Sequence, residues 1–144
     1  MSDKLFFIET SVKYNFAILH EYIDKISDNN KIVPIPTIIS QFIIGLLHDS
    51  GKLYTVINPF YKITSDINMN INKNLFVLTK NNIGLAGIGL NGEENFNINK
   101  CFPLTEALEE TGFFDYFYVY KDKKYAIINV EKLKETLTND LKAR

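Results

Sequence analysis

Apolar positions along the chain change their spacing once the first third has passed. Val12, Phe16, Leu19, Ile23 and Ile26 recur at the 4, 3, 4, 3 interval of a single helical face, with Thr10 or Ser11 as a cap and Ser27-Asp28-Asn29-Asn30 as a stop. That interval predicts a first helix. A second is expected from Pro36-Thr37 to Gly51, because proline suits a first helical turn and glycine the left-handed residue that ends one. Ile38, Ile39, Phe42, Ile43, Ile44, Leu46 and Leu47 cover most of its circumference, leaving Gln41, Gly45 and His48 as the polar or bare stripe. Such a helix is central, or residues 37–49 form half of a homodimer interface.

After Gly51 the runs shorten and become β-branched and aromatic: Leu53–Ile57, Phe60–Thr64, Leu75–Thr79 and Ile83–Leu90 are predicted strands, with Lys80-Asn81-Asn82 as a turn. Asn91–Pro103 is polar and irregular, the longest expected loop. Leu104–Thr111 predicts a short helix ending at Gly112, and Phe113–Tyr120 pairs with Tyr125–Val130 around Lys121-Asp122-Lys123-Lys124. Val130, Leu133, Leu137 and Leu141 mark a terminal helix capped by Asn129. The expected fold is a single α+β domain over residues 1–144. It has a mainly antiparallel sheet built from hairpins, two N-terminal helices, one short internal helix and one C-terminal helix.

Composition narrows the function classes. A chain of 144 residues, 46% hydrophobic and 23% charged, can bury a core without disulfide or metal staples. Its net charge of -1 provides no global field for nucleic acid or anionic lipid. Fifteen lysines accompany one arginine, Arg144, so an internal arginine clamp for phosphate or carboxylate is excluded. The single cysteine, Cys101, completes neither a disulfide nor a zinc motif and fits a reducing compartment. The longest oily stretch, Thr37–Leu47, is shorter than the roughly 18 residues of a membrane span. The expectation is a cytoplasmic protein with no membrane partner, no cofactor and no bound metal.

Leu46-Leu47-His48-Asp49-Ser50-Gly51-Lys52 resembles the His-Asp-x-Gly-Lys signature of HD-domain phosphohydrolases. The resemblance implies an all-helical domain in which adjacent His and Asp side chains hold a divalent metal that activates water, with His20 standing in for an earlier ligand. It ranks second, because everything after Lys52 reads as strands and no downstream helix presents a further Asp. On the alternative reading His48 and Asp49 simply end the second helix. Gly51-Lys52 lacks the spacing of a P-loop, and Gly84-Leu85-Ala86-Gly87-Ile88-Gly89 reverses the dinucleotide fingerprint.

Charge distribution is more informative than motif. Glu106, Glu109, Glu110 and Asp115 fall between Cys101 and Tyr120 with no base among them, whereas Lys121–Lys134 carries five lysines. Beside the acids lies Phe113-Phe114-Asp115-Tyr116-Phe117-Tyr118-Val119-Tyr120, whose alternation on a strand would turn Phe114, Tyr116, Tyr118 and Tyr120 outward. Exposed tyrosines bring large contact area and the acids steer a cationic partner. The leading expectation is a non-enzymatic inhibitor, immunity protein or antitoxin that occludes a basic toxin or nuclease. Glu106, Glu109, Glu110, Asp115, Tyr116, Tyr118 and Tyr120 would be the contacts. The acids oppose a nucleic-acid backbone.

Overall fold

Alternation, not helical spacing, organises most of the chain. The computed structural model describes residues 3–10, 14–28, 32–34, 42–61 and 75–142. Among these, one sheet is built from both ends of the chain and the other from its middle. The first comprises β1 (Lys4–Glu9), β2 (Asn15–Leu19), β9 (Gly89–Asn95), β10 (Cys101–Phe102), β11 (Phe114–Tyr120) and β12 (Lys123–Ile128), in the order β10-β11-β12-β2-β1-β9. The second comprises β3 (Ile23–Ser27), β4 (Ile32–Pro34), β5 (Ile43–Asp49), β6 (Lys52–Ile57), β7 (Leu75–Thr79) and β8 (Ile83–Gly87), in the order β3-β7-β8-β6-β5-β4. Pairing is antiparallel except between β12 and β2 and between β6 and β8. Two helices complete the described fold, α1 (Glu106–Thr111) and α2 (Val130–Lys142).

Inside the edge strands β4 and β9, both faces of each sheet carry buried apolar side chains, and alternation decides which core a side chain enters. In the first sheet Leu5, Phe7, Ala17, Tyr118, Tyr125 and Ile127 form an inner cluster. In the second, Leu47, Tyr54, Val56, Phe76, Leu78 and Ala86 form another. Their strand neighbours Ile8, Phe16, Ile18, Ile57, Val77, Leu85, Ala126 and Ile128 turn the opposite way into a shared core between the sheets. Phe60 stacks on Phe114 across this core at 5.2 Å and 7°.

This architecture corrects the α+β expectation. A strand covered on both faces is a continuous apolar run, which spacing alone does not separate from a buried helix. The expected first helix is β2, a 3-10 turn over His20–Tyr22 and β3, and that turn carries the chain from one sheet to the other. Val12 lies outside the described residues, and Phe16 and Leu19 of β2 enter different clusters, the shared core and the inner cluster of the first sheet, so the 4, 3, 4, 3 spacing marks no single face. Of the expected second helix, residues 35–41 lie outside the described residues, and Ile43–Asp49 is the strand β5, held between β4 and β6. The proposed homodimer helix is therefore absent over residues 43–49. Gly51 is left-handed as expected, with φ of 81°, but together with Ser50 at 52° it makes a two-residue hairpin turn in which Asp49 faces Lys52.

Elsewhere the expected strands Leu53–Ile57 and Leu75–Thr79 match β6 and β7, and Ile83–Leu90 divides into β8 and the start of β9. Phe60 and Tyr61 lie in a turn instead of a strand, and residues 62–64 fall outside the described residues. The expected loop Asn91–Pro103 contains most of β9, a 3-10 turn over Ile98–Lys100 and β10. The terminal helix is present as α2. Asn129 caps it by accepting from the Lys132 amide at 3.0 Å, while Val130, Leu133 and Leu137 bury their side chains in the shared core. Among the described residues no helix is long and apolar enough to cross a membrane.

Candidate functional site

Helix α1 is short because Gly112, at φ 94°, ends it with the left-handed cap glycine tolerates best. Leu108 and Thr111 take its buried face, which forces Glu106, Glu109 and Glu110 to the exposed one. The first-turn acids Glu106 and Glu109 face the positive end of the helix. Among the described residues none of these three glutamates forms an ion pair.

The aromatic strand that follows does not alternate regularly. Phe114 sits opposite Ile128 and Phe117 opposite Ala126, so β11 spends three steps where β12 spends two. This bulge switches the phase of the strand. Phe114 and Phe117 both enter the shared core, and Tyr118 turns into the inner cluster of the first sheet. The outward set expected from simple alternation is corrected accordingly. Tyr116 is 50% exposed and Tyr118 fully buried. Tyr120 is half-buried, stacked on Phe7 at 4.0 Å, and a Cβ on Gly92 would collide with its hydroxyl. The Tyr118 hydroxyl donates to Glu94 Oε2 at 2.7 Å and accepts from the Asn97 amide at 3.1 Å. Burial, aided by the Glu94 carboxylate, pushes its pKa up to about 12. Tyr118 and Tyr120 are thus structural.

Between β10, α1 and the bulge of β11 lies a surface pocket of about 540 Å³. Its apolar lining includes Ile98, Phe102, Leu104, Phe114 and Tyr116, and its carboxylates are Glu109 and Asp115. Ile98 and Tyr116 are among the most exposed large apolar side chains described, at 67% and 50%. Asp115 lies near the start of α2, with Asn129 Nδ2 at 3.4 Å from one oxygen and Lys132 Nζ at 3.7 Å from the other. Cys101 also lines the pocket, and burial raises its pKa, which favours the protonated thiol. Of the residues expected to bind a partner, the structure gathers Glu109, Asp115 and Tyr116 at this pocket, with Glu106 and Glu110 beside it on α1. Ile98, Phe102 and Leu104 were missed. Ile98 alone leaves a signal, as an isolated apolar residue between Asn97 and Asn99.

The His-Asp motif is a hairpin. His48 and Asp49 are successive residues of β5, and the first is exposed while the second is buried, so they point to opposite faces and cannot share an ion. Asp49 instead accepts from Lys25 Nζ at 2.8 Å and from the Ser27 and Ser50 hydroxyls at 2.9 Å each. Those bonds lower its pKa to about 2, with the Lys25 bond the largest cause. His20 lies in the 3-10 turn and stacks on Phe6 at 5.2 Å.

No family model and no curated protein matches the chain. Solved structures do. The crystal structure of scaffolding protein TtCheW from Thermoanaerobacter tengcongensis superposes with a TM-score of 0.70 and 17% identity over 89% of each chain. This chain shares its fold with a scaffolding protein. The two-sheet fold and the burial it imposes overturn two functional expectations. An HD phosphohydrolase would be all-helical, whereas the TtCheW-like fold is two β-sheets that set His48 and Asp49 apart. The inhibitor, immunity or antitoxin role draws on an outward row of Phe114, Tyr116, Tyr118 and Tyr120 beside the acids. That row is broken, since Phe114 and Tyr118 are buried, Tyr120 is half-buried and Tyr116 alone of the four is exposed, and the fold matched is that of a protein described as a scaffold.

Proposed function

We propose that this chain is a non-catalytic scaffold that binds another protein through the pocket at β10, α1 and β11. Glu109, Asp115 and Tyr116 form the contact, and Glu106 and Glu110 flank it. The observation that carries this reading is the coincidence, at one apolar pocket, of the exposed Tyr116 ring with the outward acids of α1. Tyrosine contributes contact area at low entropic cost, and unpaired acids orient an approaching partner. The TtCheW-like fold supports a binding role over a chemical one, and a single cysteine with no second cysteine to pair with suits a reducing compartment such as the cytoplasm.

Site-specific photo-cross-linking in the native cell tests it. A benzophenone side chain in place of Tyr116 is expected to capture a discrete second polypeptide. The same group in place of Leu53, which is 56% exposed on the other sheet, is expected to capture none. Equal capture from both positions, or none from position 116, overturns the reading.

A further inference from the structure

We infer that the pocket receives a short segment of the partner in which one large apolar side chain is flanked by lysine or arginine. This inference rests on the scaffold reading and specifies its partner. A pocket of about 540 Å³ is large enough to seat a leucine, phenylalanine or similar anchor. Its apolar walls, among them Phe102, Leu104 and Phe114, suit that anchor, and Ile98 and Tyr116 would lose exposed apolar surface on contact.

The carboxylates choose the flanks. Glu109 and Asp115 line the pocket, and Glu106 and Glu110 are exposed on the same six-residue helix. Among the described residues one base contacts these four acids, Lys132 at 3.7 Å from Asp115, and Lys124 Nζ lies 5.7 Å from the ring of the pocket residue Phe102. An acidic segment would meet repulsion at every approach over α1, whereas a basic one would find three glutamates without ion pairs among the described residues. A segment with charge but no anchor would leave the pocket unfilled, and an anchor with acidic flanks would be rejected.

Three synthetic hexapeptides, KKLFKK, KKSGKK and EELFEE with blocked termini, separate these contributions when titrated into the full chain while side-chain methyl NMR signals are followed. The lysine-flanked Leu-Phe peptide is expected to shift the Ile98 and Leu104 methyls saturably, with an affinity that falls as salt rises. The other two peptides are expected to leave those methyls unmoved. Glu109→Lys and Tyr116→Ala, both at exposed positions, should each weaken binding by about tenfold or more with unchanged melting temperature. The inference is overturned if EELFEE or KKSGKK binds as well as KKLFKK, if the shifts fall away from the pocket, or if KKLFKK fails to bind at all. Should cross-linking from position 116 succeed while KKLFKK stays silent, the scaffold reading stands and this inference falls. The reverse result sinks the scaffold reading and this inference with it.

Discussion

Asp49 shows how a single side chain can look like chemistry in the sequence and serve architecture in the fold. Lys25, Ser27 and Ser50 surround its carboxylate, and their hydrogen bonds hold its pKa at about 2 against an ordinary 3.8. Because the folded form releases this proton more readily than the unfolded chain, the stability it contributes is present above pH 4 and disappears as the pH falls through about 2. Acid unfolding followed by circular dichroism should therefore show stability declining between these limits. Asp49→Asn should flatten that part of the curve and lower stability at neutral pH. An unchanged acid limb in the variant would refute the assignment. Nothing in the linear neighbourhood of Asp49 announces Lys25 and Ser27, which arrive from β3, another strand of the same sheet.

Hairpin β11–β12 turns on Lys121 and Asp122, both left-handed at φ of 48° and 63°. A two-residue turn of this kind demands positive φ at both positions, a conformation costing a residue with a Cβ about 1–2 kcal/mol. Replacing Asp122 by glycine removes that cost and adds some unfolded-state freedom, for a net gain of about 0.5–1 kcal/mol. The urea midpoint of Asp122→Gly should rise with an unchanged slope, and a fall would show that the aspartate makes a compensating bond. The turn is two residues instead of the expected 121–124, since Lys123 and Lys124 already pair in β12. The existence of this hairpin and of α2 was nonetheless legible in the sequence because their signals are local: alternation, the Asn129 cap, and apolar residues at 130, 133 and 137. The bulge between Phe114 and Phe117 was not, since it is defined by the register against β12, and it decides that Tyr116 faces out while Tyr118 faces in. The buried Leu108 and Thr111 leave Glu106, Glu109 and Glu110 on the exposed face of α1.

For the whole molecule, the shared core makes the two sheets mutually dependent. Phe60, buried against Phe114 and Phe16, fills it at the point where a turn after β6 meets the first sheet. Phe60→Ala should cost about 3–5 kcal/mol through lost burial and the cavity left behind. Far-UV circular dichroism and tyrosine fluorescence should still report one coincident transition, at a lower temperature. Two separated transitions would mean that each sheet is stable alone. β2 and β5 escaped sequence reading for the same reason that they hold the fold together: their apolar side chains lie on both faces, so these runs carry little polar edge by which to recognise their period. The order of the first sheet also bears on how the protein is made. β2 leaves the ribosome early, yet its parallel neighbour β12 emerges roughly 100 residues later. At roughly 5–20 residues per second, β1 and β2 wait for roughly 5–20 s without that neighbour. Once β8 has emerged, still before β12, the middle sheet has every one of its strands in hand, so it is the part of the nascent chain able to close first, and the opening strands are those that most need shielding from one another on a crowded polysome.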